Sequence, residues 1–273
     1  MNKATAFQAA TPPESTSAES TSAAPAIETL PFELGEDIGR RGAIGLVVLD
    51  VDSTLEQEFR AILPHDGVAL YVSRIAMGNK VTKETLRAME GDITASAAQI
   101  HPGRKLDVLA FACTSGAVAI GEERVFQRLR EARPGISCTS PMTAGVAGLK
   151  RLGCESVALI TPYTADITTM MGGFIEDHGI RVTAAATFDN TDDAEVARIS
   201  QGSIREAILS QGAGPGDAVF VSCSSLHVLP LIEDCEAELG KPVLASNQAM
   251  AWHSMRLAGI DDALPGFGRL LMR

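Results

Sequence analysis

The chain has 273 residues, 45% of them hydrophobic, with a formal net charge of −11 and five cysteines. That length suits one large domain or two of about 120 residues with full cores, while the charge argues against a general nucleic-acid or anionic-membrane surface. No run approaches the roughly 18 apolar residues of a membrane span, the N-terminus lacks the basic-then-apolar order of a signal peptide, and an odd cysteine count without framework spacing fits a reducing, cytoplasmic setting.

In chain order, residues 1–31 come first. They are rich in Ser, Thr, Ala and Pro, with hardly an aromatic residue and no apolar period. Such a composition does not offset the entropy of ordering, so a disordered tail is expected. From Ala43 onward, short apolar runs alternate with helical patterns. The runs are "AIGLVVLD", "VALYVSRI", "LDVLAFAC", "ISCTS", "SVALITP", "RVTAAATF", "DAVFVSC" and "PVLAS". Their length and Val, Ile and Leu content predict strands buried on both faces. Between them, "KETLRAMEGDITASAAQI", "EERVFQRLREA", "AGVAGLKRLG" and "AEVARISQGSIREAILSQG" place apolar residues at three and four spacing. The alternation predicts an α/β protein with parallel sheets and right-handed crossovers.

The pattern is written twice. Asp52 and Tyr163, each following a predicted strand, stand 111 residues apart; Cys113 and Cys223 stand 110 apart; Ser140 and Ser246 open matching helices 106 apart. The spacing implies two similar doubly wound halves related by pseudo-twofold symmetry, over residues 43–153 and 154–259, with 260–273 packing back on one of them. Ligands of open parallel sheets bind beyond the carboxyl ends of the strands. Two facing halves would therefore set Cys113 and Cys223 across one cleft.

A pair of thiols suits proton transfer to opposite faces of one carbon, which needs a base on one side and an acid on the other. A helix N-terminus lowers a thiol pKa, so one thiolate beside one thiol is expected near neutral pH. Thr114, Ser115, Ser224 and Ser225 supply hydroxyl and backbone donors at the same strand ends, suited to a substrate carboxylate. Cys138, Cys154 and Cys235 read as packing. His227, one helical turn past Cys223, is either a tuner of that thiol or a solvent-facing side chain. Asp52 is either a helix cap or a substrate contact. No CxxC, HxxxH or HExxH occurs, so no metal site is expected. "GPGDAVF" lacks the order of a dinucleotide loop.

The stretches "ACTSGAVAIG", "SCSSLHVLPLIEDCEAELGKPVLASNQAMAW" and "VLDVDSTLEQEF" together resemble the aspartate/glutamate racemase superfamily. Within it they resemble the branch of maleate cis-trans isomerases, arylmalonate decarboxylases and an ectoine-utilisation protein. The resemblance implies catalysis without a cofactor, catalytic thiols at Cys113 and Cys223, and substrate-carboxylate contacts at Tyr163 and Asn190. Thr114 and Ser115 match the carboxylate pocket of the decarboxylases. Those enzymes keep only the second cysteine, whereas this chain has both, which disfavours decarboxylation. Asp52 stands where the maleate isomerases carry Asn; a carboxylate there repels a dicarboxylate and attracts an ammonium group. The expected function is thus a racemase or epimerase acting on a small carboxylate, an amino acid or acylated diamino acid as in ectoine catabolism. Cis-trans isomerisation of a maleate-like diacid comes second and a metabolite-binding protein third. The expected partner is a small-molecule carboxylate, and the sequence leaves a homo-oligomer open.

Overall fold

The computed structural model describes residues 27–78 and 80–273, so the expected tail lies mostly outside the described residues. Eight parallel strands form two sheets of four. The first holds β1 (Gly42–Leu49), β2 (Val68–Ile75), β3 (Val108–Phe111) and β4 (Ser137–Thr139) in the order β2-β1-β3-β4. The second holds β5 (Ser156–Thr161), β6 (Arg181–Thr187), β7 (Ala218–Val221) and β8 (Val243–Ala245) in the matching order β6-β5-β7-β8. Each coincides with one of the eight apolar runs. β1, β3, β5 and β7 are buried along their whole length, as continuous apolar strands between helical layers must be. The residues that follow these four central strands are Asp52, Cys113, Tyr163 and Cys223 and their neighbours.

The connections are mainly helical: α1 (Leu55–Ile62), α2 (Lys83–Ala88), α3 (Glu90–Ala98), α4 (Thr114–Ile120), α5 (Glu122–Ala132), α6 (Pro141–Arg151), α7 (Ala165–Asp177), α8 (Asp193–Val196), α9 (Gln201–Gly212), α10 (Ile232–Leu239) and α11 (Ser246–Leu257). Two helical patterns that read as continuous are broken. The stretch from Lys83 divides at Met89, and the one from Ala194 divides before Ser200, whose side chain caps α9 by accepting from the Ser203 N–H. Among the described residues, no helix is long and apolar enough to cross a membrane.

Two helices cross over between the sheets. α11 follows β8 of the second sheet but also packs on β1, β3 and β4 of the first; α6 follows β4 of the first sheet and packs on β8 of the second and on α11. The approach of α6 needs Gly145, where a Cβ atom would lie 2.4 Å from the Phe220 ring of β7. One apolar core therefore runs through both sheets, within the contact unit Glu36–Arg273.

Candidate active site

Beyond β1 the chain turns at Asp52, whose Oδ1 accepts from the Thr54 and Leu55 N–H groups at 2.9 and 2.8 Å and so caps α1. Its Oδ2 is buried without a partner among the described residues. One oxygen is spent on the helix and the other is left to the site, so the two expected roles of Asp52 are geometrically compatible. Arg74 supports this turn from behind, donating to the Leu49 and Asp52 carbonyls, both at 2.9 Å.

Cys113 occupies the cap position of α4, its Sγ accepting from the Gly116 N–H at 3.3 Å. Position 116 must be glycine: a Cβ there would sit 2.8 Å from the same sulfur and 2.7 Å from Met89. Thr114 and Ser115 are buried in the first turn, and the Thr114 hydroxyl donates to Ser246 at 3.3 Å. On the second sheet, Tyr163 is buried after β5, where burial and then the Cys223 and Cys113 thiols raise the pKa of its hydroxyl. Cys223 follows β7, with the Ser225 N–H donating to its sulfur at 3.4 Å. Ser224 is buried next to Cys223, and its hydroxyl acts against the rise in the Asp52 pKa.

Contrary to the expected symmetry, no helix starts after Cys223. Residues 224–228 are irregular, the Ser224 and Ser225 carbonyls accept from the side chains of Asn247 and Thr54, and Pro230 has no N–H to offer Leu226. His227 does not turn to the thiol; its Nδ1 lies 2.9 Å from Glu58 Oε1.

Asn190, expected at the site, is not brought into this cluster. Its Oδ1 accepts from the Asp192 N–H at 2.8 Å and its Nδ2 donates to Glu195 at 3.0 Å, so both ends of the amide serve its own loop. Asp193, which sequence reasoning passed over, takes part instead. Its two carboxylate oxygens accept from the Ser225 hydroxyl at 2.9 and 3.0 Å, and its charge acts on both thiols. An acid in the first turn of a helix reads as a complement to the dipole, which hid it.

The electrostatics also depart from expectation. Burial pushes the Cys113 thiol up to about 12, against the Gly116 N–H, with Asp193 adding to the shift. Cys223 is pushed up to about 12 by burial and then Asp193, against the Tyr163 hydroxyl. Burial likewise raises Tyr163 well above its ordinary range, Asp52 to about 6, and Asp193 above the ordinary carboxyl value. Desolvation outweighs the helix terminus at Cys113 and the backbone donor at Cys223, which favours the protonated thiol at both. Each sulfur-bearing residue is only 3% exposed. No lysine, arginine or histidine among the described residues hydrogen-bonds to the side chains of Asp52, Cys113, Tyr163, Asp193 or Cys223. An anionic ligand here would be held by hydroxyl and backbone donors.

Comparison with known proteins agrees with this fold. The maleate isomerase of Nocardia farcinica is 30% identical over 239 residues, covering 84% of this chain and 94% of its own length. The arylmalonate decarboxylase of Bordetella bronchiseptica is 28% identical over 227 residues, covering 77% and 91%. A solved Nocardia farcinica maleate cis-trans isomerase variant with a covalently bound succinylcysteine intermediate superposes with a TM-score of 0.78 at 28% identity, covering 85% of this chain and 98% of that one. The family model described as arylmalonate decarboxylase matches residues 44–271, and with both sheets and their strand-end residues inside that span, the chain belongs to the arylmalonate decarboxylase and maleate isomerase family of the Asp/Glu racemase superfamily.

Proposed function

We propose that the protein is a cofactor-independent isomerase of a small carboxylate that uses Cys113 and Cys223 as its reacting pair. The observation that carries this reading is the placement of two buried thiols at duplicated strand ends, both under the influence of the Asp193 charge and of the buried Tyr163 hydroxyl. Cis-trans isomerisation of a maleate-like diacid takes first place, supported by the maleate isomerase relatives and by the succinylcysteine found in one of them. The sequence-based preference for a racemase moves to second place, and the relatives named above give the ectoine connection no support.

Cys113 is the better nucleophile, because its sulfur already accepts a backbone N–H at a helix start. Its proton passes to a carboxylate of the site, Asp52 or Asp193, whose raised affinities for protons suit them to take it. The thiolate adds to one alkene carbon, and the electron pair moves into the neighbouring carboxylate as an enediolate held by the hydroxyl and backbone donors. Cys223 then delivers its proton to the second alkene carbon. Rotation about the new single bond, return of a proton to Cys223 and expulsion of the Cys113 thiolate give the trans diacid, and the first proton returns to Cys113.

Asp52 and Asp193 favour the second reading, proton exchange at the α-carbon of an amino acid. Two buried carboxylates without basic partners disfavour a dianion unless protonated, and they match an ammonium group. The two readings separate on one bench. Conversion of maleate into its trans isomer, followed by the distinct vinyl proton signals of the two diacids, supports the first, and solvent deuterium entering the α-carbon of an amino acid without alkene isomerisation supports the second. Binding of either acid with neither reaction would overturn the isomerase assignment.

A further inference from the structure

Glu58 lies on α1, 2% exposed, and among the described residues no lysine or arginine pairs with its carboxylate. Among the described residues, all donors to this carboxylate come from the stretch that follows Cys223 and from α11. Oε1 accepts from His227 Nδ1 at 2.9 Å and the Leu229 N–H at 3.1 Å, and Oε2 accepts from Asn247 Nδ2 at 2.8 Å. The same Asn247 amide nitrogen donates to the Ser224 carbonyl at 2.8 Å, one residue after Cys223. From the start of α1, the Thr54 hydroxyl donates to the Ser225 carbonyl at 2.9 Å. The irregular segment 224–228 thus has few regular backbone hydrogen bonds of its own and is held by side chains, among them Glu58 and Thr54 from the first sheet's half and Asn247 and Asp193 from the second.

A buried carboxylate is costly, and apolar packing at the same place would often stabilise a fold as well or better. What a carboxylate adds is direction: three donors must converge on two oxygens, which fixes the segment in one position. The Glu58 hydrogen bond also raises the pKa of His227, whose side chain is 46% exposed, in keeping with a close pairing.

The geometry points to Glu58 as a positioning residue for the reaction, acting through Asn247, His227 and Leu229 to hold the Cys223 segment in register with Cys113. This rests on the reading of Cys223 as a reacting group. Glu58 touches neither thiol and has no other part in the chemistry.

Glu58→Gln keeps the volume but replaces one acceptor by an NH2 group, which then faces Asn247 or the His227 and Leu229 donors, donor against donor. Its kcat should fall about 10- to 100-fold with little change in KM, the scale expected when a reacting group is displaced by about 1 Å. In the absence of substrate, alkylation by iodoacetamide, read at each cysteine by peptide mass spectrometry, should shift several-fold towards Cys223 relative to Cys113. The double variant Glu58→Gln with Asn247→Asp restores an amide–carboxylate pair with the roles exchanged but leaves the Ser224 carbonyl without its donor. Its melting temperature should recover while kcat does not. An unchanged alkylation ratio in folded Glu58→Gln overturns the assignment whatever happens to kcat, as does a changed ratio with kcat intact. Recovery of kcat together with stability in the double variant also overturns it, since that is the mark of a structural role alone. Should the single variant fail to fold, the double variant carries the same two readouts. If wild type showed no turnover on either substrate class, the isomerase reading would fall, and the alkylation ratio would still decide whether Glu58 holds the segment.

Discussion

The strand-end places of Cys113 and Cys223 are legible in the sequence because each ends an apolar run, precedes hydroxyl residues and recurs at the repeat spacing. The protonation of the two thiols is not, because a helix start is a local feature whereas desolvation depends on everything packed around the sulfur. With both thiols pushed up to about 12, alkylation of the free protein should still be rising at about pH 10, where an ordinary thiol with a pKa near 8.5 has levelled off. A plateau near pH 9 at either cysteine would contradict the buried arrangement. Asp52 offers a second check. Its carboxyl is raised from 3.8 to about 6, chiefly by burial, so the folded state holds its proton more tightly than the unfolded chain. The stability that follows is present below the ordinary carboxyl range and is lost as pH rises through about 6. Asp52→Asn caps about as well and carries no charge. It should therefore flatten the decline in stability between about pH 4 and pH 7, by on the order of 2 kcal/mol. Denaturant titrations at both pH values measure this, and parallel declines in wild type and variant would show that Asp52 is not the group responsible. Asp193 and Asn190 mark the limit of reading by residue type: both are polar and near a predicted helix start, and only the fold shows which side chain is already spent on its own loop.

At the scale of elements, all eight strands were legible, since a buried parallel strand is a short, nearly unbroken apolar run. Helix breaks were not. The apolar spacing continues through Met89 and through residues 197–200, and the periodicity carries no mark where a cap side chain intervenes. Nor does spacing reveal how closely a helix approaches its neighbour. Gly145 of α6 illustrates the consequence. Alanine is the better helix former by about 1 kcal/mol, but here its methyl group would meet the Phe220 ring at 2.4 Å, inside any real contact distance. Gly145→Ala should destabilise the fold by about 1–3 kcal/mol as an overpacking change. Chemical denaturation tests it, and an unchanged or raised midpoint would mean that β7 yields to α6 at little cost.

For the whole molecule, the doubling of the sequence reappears as two sheets with one strand order, and the duplicated cysteines hold equivalent places beyond β3 and β7. The exchange of α6 and α11 between the sheets left no trace in the sequence, because a helix that is apolar around most of its circumference does not declare which surface it covers. Yet that exchange decides what a half of this chain is able to do. A gene divided between the codons of Gly153 and Cys154 would encode two pieces, each displaying the apolar surface that the other's helix covers in the intact protein. Each alone should aggregate or remain partly unfolded. Expressed together, they should assemble into a heterodimer that reproduces the intact arrangement, readable by co-purification and by return of turnover. Either piece folding cooperatively by itself would show that the crossing helices are dispensable. Complementation would make the chain a covalently joined form of a two-subunit enzyme, in which each subunit brings one thiol and neither is active without the other.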